Sequence, residues 1–265
     1  MENRSNEKNK DEGTIPAWVS AVLAVFLWAE AIFFTIFFFL FNLIFVFPLS
    51  VVLEPGRRGF VHHVAHWWGK MIVAVIPMWR ITMKGQENIE PNKPYVVVAN
   101  HQSLLDILVV LAALPIHFKF LAKQELFRIP MFGWHMKLAG YIPLVRSNRE
   151  SGRAAVGLAE DWLKKGVSVL FFPEGTRSLD GNIKEFKVGA FRIARNLGVD
   201  ILPVVLDGTG QALPKKSWRL MKKSNFSLQI EKPISAKELK GDLDKVREDI
   251  RQRMIHRLAG IRSER

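Results

Sequence analysis

The heptapeptide Asn100-His101-Gln102-Ser103-Leu104-Leu105-Asp106 holds the residue types for proton transfer, an imidazole and a carboxylate. On one continuous helix the two would lie about 140° apart, since each residue turns about 100°. A helix that begins between them removes the obstacle. Ser103 followed by Asp106 has the form of a capping box, with Ser103 as N-cap and Asp106 as the third helical residue. His101 then sits in the loop above the helix end, and Asp106 can reach back to it. A carboxylate on one ring nitrogen sets the tautomer and leaves the other nitrogen as a base. The same residues equally describe a capped helix beside a surface histidine.

Three further stretches carry charged groups beside turn residues. Gly140-Tyr141-Ile142-Pro143-Leu144-Val145-Arg146 ends in an arginine with Ser147, Asn148 and Arg149 beside it. Arginine grips a phosphate bidentately and is always charged; a solvated basic turn has the same composition. Phe171-Phe172-Pro173-Glu174-Gly175-Thr176-Arg177-Ser178 lifts Glu174 and Arg177 out of an apolar run at a tight turn. Gly175 lets main-chain N–H groups approach an anion. Glu174 suits a hydroxyl and Arg177 a phosphate, although an Arg–Glu pair bracing the turn uses the same residues. Lys187 and Gly189 follow at a helix start, a good phosphate position. In Asp200-Ile201-Leu202-Pro203-Val204-Val205-Leu206-Asp207-Gly208-Thr209, Pro203 interrupts an apolar strand and predicts a kink or bulge.

These residues need a scaffold that brings them to one edge, and the apolar patterning provides it. Tyr95–Ala99 reads as a buried strand and Ile107–Ala113 as a helix ended by Pro115. Strands follow at Arg80–Glu90 (with a turn), His117–Ala122, Tyr141–Arg146, Val167–Phe172, Ile201–Leu206 and Phe226–Ile230. Helices are expected at Met131–Leu138, Glu150–Lys165, Lys187–Asn196 and Ala236–Leu258. Strands alternating with helices imply an α/β layer fold with a mainly parallel sheet. In such sheets ligands bind beyond the carboxyl ends of the strands, where His101, Arg146 and Glu174 all fall.

Ahead of this domain, Ile15–Leu53 contains one charge, Glu30, and the dense run Phe33-Phe34-Thr35-Ile36-Phe37-Phe38-Phe39. A stretch this long and apolar on every side is expected to be a membrane anchor. It is too long for a cleaved signal peptide, and residues 1–13 mix acids with bases and read as disordered. Pro16 and Pro48 bracket it. An unbroken helix from Ala17 to Phe47 would be about 46 Å long, against a hydrocarbon core of about 30 Å. It must tilt, bend or return as a hairpin, with Glu30 and Asn42 as the expected break points. Arg57 and Arg58 follow, which places the large domain on the cytoplasmic side, in a bacterial cell at the inner membrane. Gly59–Trp79, with His62, His63, His66, Trp67, Trp68 and Lys70, reads as an interfacial helix. His62 and His66 have metal-ligand spacing on a helix, but no acidic partner stands nearby, so no metal site is expected. The resulting division is a disordered 1–13, an anchor with interfacial helix at 14–80 and a catalytic-sized domain at 81–265.

The net charge of +13 suggests a polyanionic partner. Beside an anchor, membrane lipids and phosphorylated substrates are favoured over nucleic acid, for which no binding motif is present. The absence of cysteine excludes a thiolate nucleophile, a zinc thiolate site and disulfides. Gln211–Ser224 carries Lys215, Lys216, Arg219, Lys222 and Lys223 without an acid. It suits lipid headgroups, the phosphates of coenzyme A or an acidic carrier protein, and equally a solvated loop.

The ordered set NHQSLLD, GYIPLVR, FPEGTRS and ILPVVL, spread over Asn100–Leu206, resembles the glycerolipid acyltransferase family. The resemblance takes in Lys123 and Glu125 of a KxEL stretch and Lys187 of FKxG, and covers about half the chain. It implies a glycerol-3-phosphate acyltransferase-like α/β domain behind an N-terminal helical membrane anchor. It further implies His101 as general base, Asp106 as its orienting partner, and Arg146, Glu174, Gly175, Arg177, Lys123 and Lys187 as the residues that hold a phosphorylated acceptor such as lysophosphatidate. The co-substrate would be an acyl thioester of coenzyme A or of acyl carrier protein, with no cofactor and no metal. A thiolate leaves readily, and no GxSxG elbow is present, which fits direct transfer to the hydroxyl. The competing expectations are a family member acting on another lysophospholipid or a lyso-amino-acid lipid, a non-catalytic anionic-lipid-binding membrane protein, and an esterase.

Overall fold

A computed structural model describes residues 17–53, 56, 58–76, 78–145, 148–214 and 224–264. The N-terminal segment 1–13, Pro16, Arg57, Arg146 and the basic residues Lys215–Lys223, all singled out above, lie outside the described residues.

From Ala17 to Leu53 the apolar segment is continuously helical. Helix α1 (Ala17–Phe41) passes through a π-helical turn, Asn42–Val46, into α2 (Phe47–Leu53). Among the described residues this is the helix long and apolar enough to cross a membrane, with mean hydropathy 2.6 over Ala24–Leu53. It is a candidate membrane anchor. Of the two expected break points, only Asn42 departs from α geometry; Glu30 lies within α1. Nor does Pro48 end the segment. The π turn, closed by the Phe47 N–H on the Asn42 carbonyl, widens the helix just ahead of the proline, whose ring would otherwise meet the carbonyl four residues back.

Helix α3 (Gly59–Val75) does more than lie at an interface. Trp67 faces outward, with the Lys70 ammonium 5.2 Å from its ring. The other face buries Val61, Ala65, Ile72 and Val73. Gly69 allows the close approach to the Leu105–Ala113 helix, because a Cβ there would stand 3.0 Å from the Ala112 nitrogen. Trp68 donates to the Thr35 hydroxyl and so ties α3 to the anchor.

The remaining elements are β1 (Trp79–Lys84), β2 (Val96–Ala99), α4 (Leu105–Ala113), β3 (Phe118–Lys123), α5 (Phe132–Leu138), β4 (Ile142–Leu144) and α6 (Arg149–Lys164). Then come β5 (Ser168–Phe171), α7 (Gly189–Leu197), β6 (Ile201–Asp207), α8 (Thr209–Ala212), β7 (Ser224–Ile230) and α9 (Leu243–Ser263). The last helix starts later than the sequence suggests. Asp242 caps it through the Asp244 and Lys245 amides, after Gly241 breaks a short 3₁₀ turn.

The strands form one sheet in the order β1-β7-β6-β2-β5-β3-β4, parallel except where β7 meets β6. Val96 and Val98 point to one face and Val97 and Ala99 to the other, as strand periodicity requires. Helices α3 and α4 cover the second face, while α6, α7 and α9 cover the first. Pro203 causes no bulge: β6 is an uninterrupted strand paired with β2 through Val98. Its carbonyl accepts from Glu231 just past the end of β7. The N–H that proline lacks would point to that same side, past the end of β7, so only one bond is missing there and pairing resumes between Ile201 and Ile234.

Candidate active site

Adjacent parallel strands β2 and β5 send their following helices to opposite faces, α4 to one and α7 to the other. That arrangement opens a crevice beyond the carboxyl ends of the strands. The loop after β2 carries His101 and the loop after β5 carries Glu174. The two walls are joined by main-chain bonds, with the Ser178 N–H on the His101 carbonyl at 2.8 Å.

His101 Nδ1 lies 2.7 Å from Asp106 Oδ2, and both residues are buried. The same oxygen accepts the main-chain N–H groups of Gln102 (2.7 Å) and Ser103 (2.9 Å). Half of the expected capping box is therefore made, the carboxylate reaching back to the main chain. The other half is weaker: the Ser103 hydroxyl donates to the Leu213 carbonyl at 2.8 Å and takes only a 3.3 Å bond from Leu105 N–H. The helix starts with Leu104, not Ser103, at its cap. Because Asp106 accepts from Nδ1–H, Nε2 is left as the basic nitrogen; it makes no hydrogen bond among the described residues. One face of the imidazole is covered by the Phe172 ring, stacked at 4.1 Å and 20°.

Glu174 is buried, and both of its oxygens are engaged by main-chain donors, Oε1 by His101 N–H at 2.8 Å and Oε2 by Lys184 N–H at 3.1 Å. Burial pushes its carboxyl up to about 6; the two amide bonds oppose that shift, and the Asp106 charge adds to it. Gly175 adopts φ +70, and a Cβ there would stand 2.8 Å from the Lys187 ammonium, so the lysine lies across this turn. Lys187 N–H also bonds the Pro173 carbonyl at 2.9 Å. Arg177 is half-buried in the same loop. Lys123, at the carboxyl end of β3, is exposed and paired with Glu125 at 3.0 Å. Its strand lies two places from β2, about 10 Å across the sheet. The structure thus brings His101, Asp106, Glu174, Gly175 and Lys187 together, with Lys123 farther along the same edge.

Several participants carry no motif signal. Thr209, fully buried, donates its hydroxyl to Asp106 Oδ1. Gln102 Nε2 donates to the Leu206 carbonyl at 3.0 Å. Asp207 accepts from Arg262 of α9 at 3.2 Å, and the same guanidinium donates to the Gly181 carbonyl at 2.8 Å, so the last helix braces both walls. The pattern Gly208-Thr209-Gly210 was the available clue to this wall. His62 and His66 are committed elsewhere, to the carbonyls of Ile116 and Leu111. Among the described residues no cluster of three or more His, Asp or Glu could hold a metal.

Residues 80–207 match the family model described as Acyltransferase. The chloroplastic 1-acyl-sn-glycerol-3-phosphate acyltransferase of Arabidopsis thaliana is 40% identical over 188 residues, 71% of this chain and 52% of that protein. The 1-acyl-sn-glycerol-3-phosphate acyltransferase of Saccharomyces cerevisiae is 34% identical over 185 residues, 68% of this chain and 60% of that one. The crystal structure of the 1-acyl-sn-glycerophosphate (LPA) acyltransferase PlsC from Thermotoga maritima matches with a TM-score of 0.70 at 28% identity, over 89% of this chain and 98% of its own. The chain spans about half to three-fifths of the length of these curated relatives.

Proposed function

We propose that this chain, which belongs to the acyltransferase family, transfers an acyl group from a thioester to the sn-2 hydroxyl of 1-acyl-sn-glycerol 3-phosphate. The observation that carries the reading is the buried His101–Asp106 contact of 2.7 Å with Nε2 left over at the sheet edge. A protein that only bound lipid would have no use for an oriented base. In this reading Nε2 takes the hydroxyl proton as the oxygen attacks the thioester carbonyl. The tetrahedral adduct then expels the thiolate, which recovers the proton from the imidazolium. General base catalysis of this kind contributes roughly 10²–10⁴-fold.

Asp106 orients the ring. Arg177 and Lys187, with Arg146 from the sequence alone and Lys123 along the same edge, supply the positive charge for the acceptor's phosphate. Glu174 serves the acceptor indirectly, by holding His101 and the 173–184 loop in register. An apolar cavity between α1, α3, α4 and α5, lined by Phe38, Phe39, Ala65, Trp68, Ile107 and Met136, is assigned to an acyl chain; Ile107 adjoins Asp106. The helix at Ala24–Leu53 keeps the domain beside its lipid acceptor.

Product analysis tests this directly. Labelled acyl-coenzyme A and acyl carrier protein are each offered to the purified chain with lysophosphatidate. Labelled phosphatidate is expected, whereas free fatty acid alone would indicate an esterase and unreacted donor a binding protein. Arg177→Ala is expected to lose activity on lysophosphatidate far more than on monoacylglycerol; equal losses would remove the phosphate role.

A further inference from the structure

We infer that Thr209 is a positioning residue of this site, which sets the orientation of His101 through Asp106. The inference rests on the reading of His101 as the general base.

A carboxylate as buried as Asp106 must have its charge met by donors. Oδ2 receives three, from His101 Nδ1 and the Gln102 and Ser103 amides. Among the described residues, Oδ1 receives one, the Thr209 hydroxyl. Of the four, Thr209 alone comes from outside the loop and helix that follow β2; as the first residue of α8, just past β6, it ties the imidazole's partner to the end of β6.

Its placement is built rather than incidental. Gly208 takes φ +94 and ψ −23 at the end of β6, a turn that points the next side chain back across the sheet edge. Gly210 lets that turn lie against the histidine loop, since a Cβ there would stand 3.3 Å from the Gln102 Cβ. On either side of Thr209 the turn is stitched to the same loop, Gln102 Nε2 to the Leu206 carbonyl and Ser103 Oγ to the Leu213 carbonyl. The hydroxyl therefore meets Oδ1 from a fixed support.

Without the hydroxyl, Oδ1 becomes a buried carboxylate oxygen short of its donor from the described residues, the carboxylate is held from the Oδ2 side alone, and His101 loses its fixed aim. The charged and titratable groups facing this pair are Glu174, on the His101 amide, with Lys184 beyond it, and Asp207 with Arg262 behind Gln102. All of them are unchanged by a substitution at Thr209, so a comparison with wild type isolates the hydroxyl.

The test measures kcat and acceptor KM for the full chain in lysophosphatidate-containing vesicles. Thr209→Val is expected to lower kcat about tenfold with KM unchanged. Thr209→Ser, which keeps the donor, is expected to restore kcat; Thr209→Ala takes the place of the valine variant if that does not fold. An unchanged kcat, a loss carried by KM instead of kcat, or serine and valine variants impaired alike would overturn the inference. His101→Ala, run beside them, separates the two readings. If it stays active, the base assignment has failed. If it is inactive while Thr209→Val behaves as wild type, Thr209 alone has failed.

Discussion

Asp106→Asn keeps the size of the side chain and removes its charge, and the geometry says how the new carboxamide would sit. Oδ2 faces three donors, two of them main-chain N–H groups that cannot turn away. Oδ1 faces the Thr209 hydroxyl, which can rotate to accept instead of donate. The amide oxygen therefore takes the Oδ2 place and the amide nitrogen the Oδ1 place. His101 keeps its Nδ1 proton and its tautomer, so the loss is electrostatic. An imidazolium and a carboxylate about 4 Å apart interact by about 4 kcal/mol at the effective dielectric of such sites, or about a thousandfold in rate. Acyl-transfer rates in vesicles should show kcat down by about 10²–10³ and acceptor KM nearly unchanged. Activity within about tenfold of wild type would show that the Asp106 charge is not what sustains the rate.

Other expectations follow from single contacts. Glu174→Gln leaves only one oxygen for two main-chain donors, and should reduce kcat about 10–100-fold through the His101 loop, read in the same assay. The Glu174 carboxyl sits at about 6 when folded, above its ordinary 4.5, so its contribution to stability is full below 4.5 and lost as pH rises through 6. Thermal melts should therefore show wild type losing more stability than Glu174→Gln over that window. Asn42 is buried in the π turn, and neither amide atom has a partner among the described residues. Asn42→Leu should stabilise the detergent-solubilised protein by about 1–3 kcal/mol, seen as a higher Tm. Arg262→Ala releases the Asp207 and Gly181 contacts. It should cost about 1–2 kcal/mol, allowing for the exposure of the arginine, and raise the acceptor KM.

What could be read from residues alone was local. The alternation of apolar runs with turns marked nearly every strand and helix, and the spacing of Ser103 and Asp106 correctly put the carboxylate back over the loop. Whatever depended on distant pairing was not readable. Nothing near Phe226–Ile230 signals that β7 runs against β6, or that β7 pairs with β1 at the edge of the sheet. Pro203 looked like a distortion because its harmlessness depends on where β7 ends. Pro48 looked like a stop because a π turn leaves no compositional mark. Glu174 looked like a free ligand, since the two amides that occupy it belong to His101, in another loop, and Lys184, ten residues downstream. At Thr209 the sequence signals only a turn, because its role comes from its contact with Asp106, 103 residues earlier.

If His101 Nε2 is the base for one hydroxyl, the single-turnover rate of His101→Ala reads it most directly. Enzyme in excess over labelled acyl thioester, with saturating lysophosphatidate, reports chemistry free of product release. Phosphatidate formation is expected to fall roughly 10²–10⁴-fold, with acceptor binding and the melting temperature close to wild type. A variant that still forms phosphatidate within a few-fold of the wild-type rate would show that His101 is not the base.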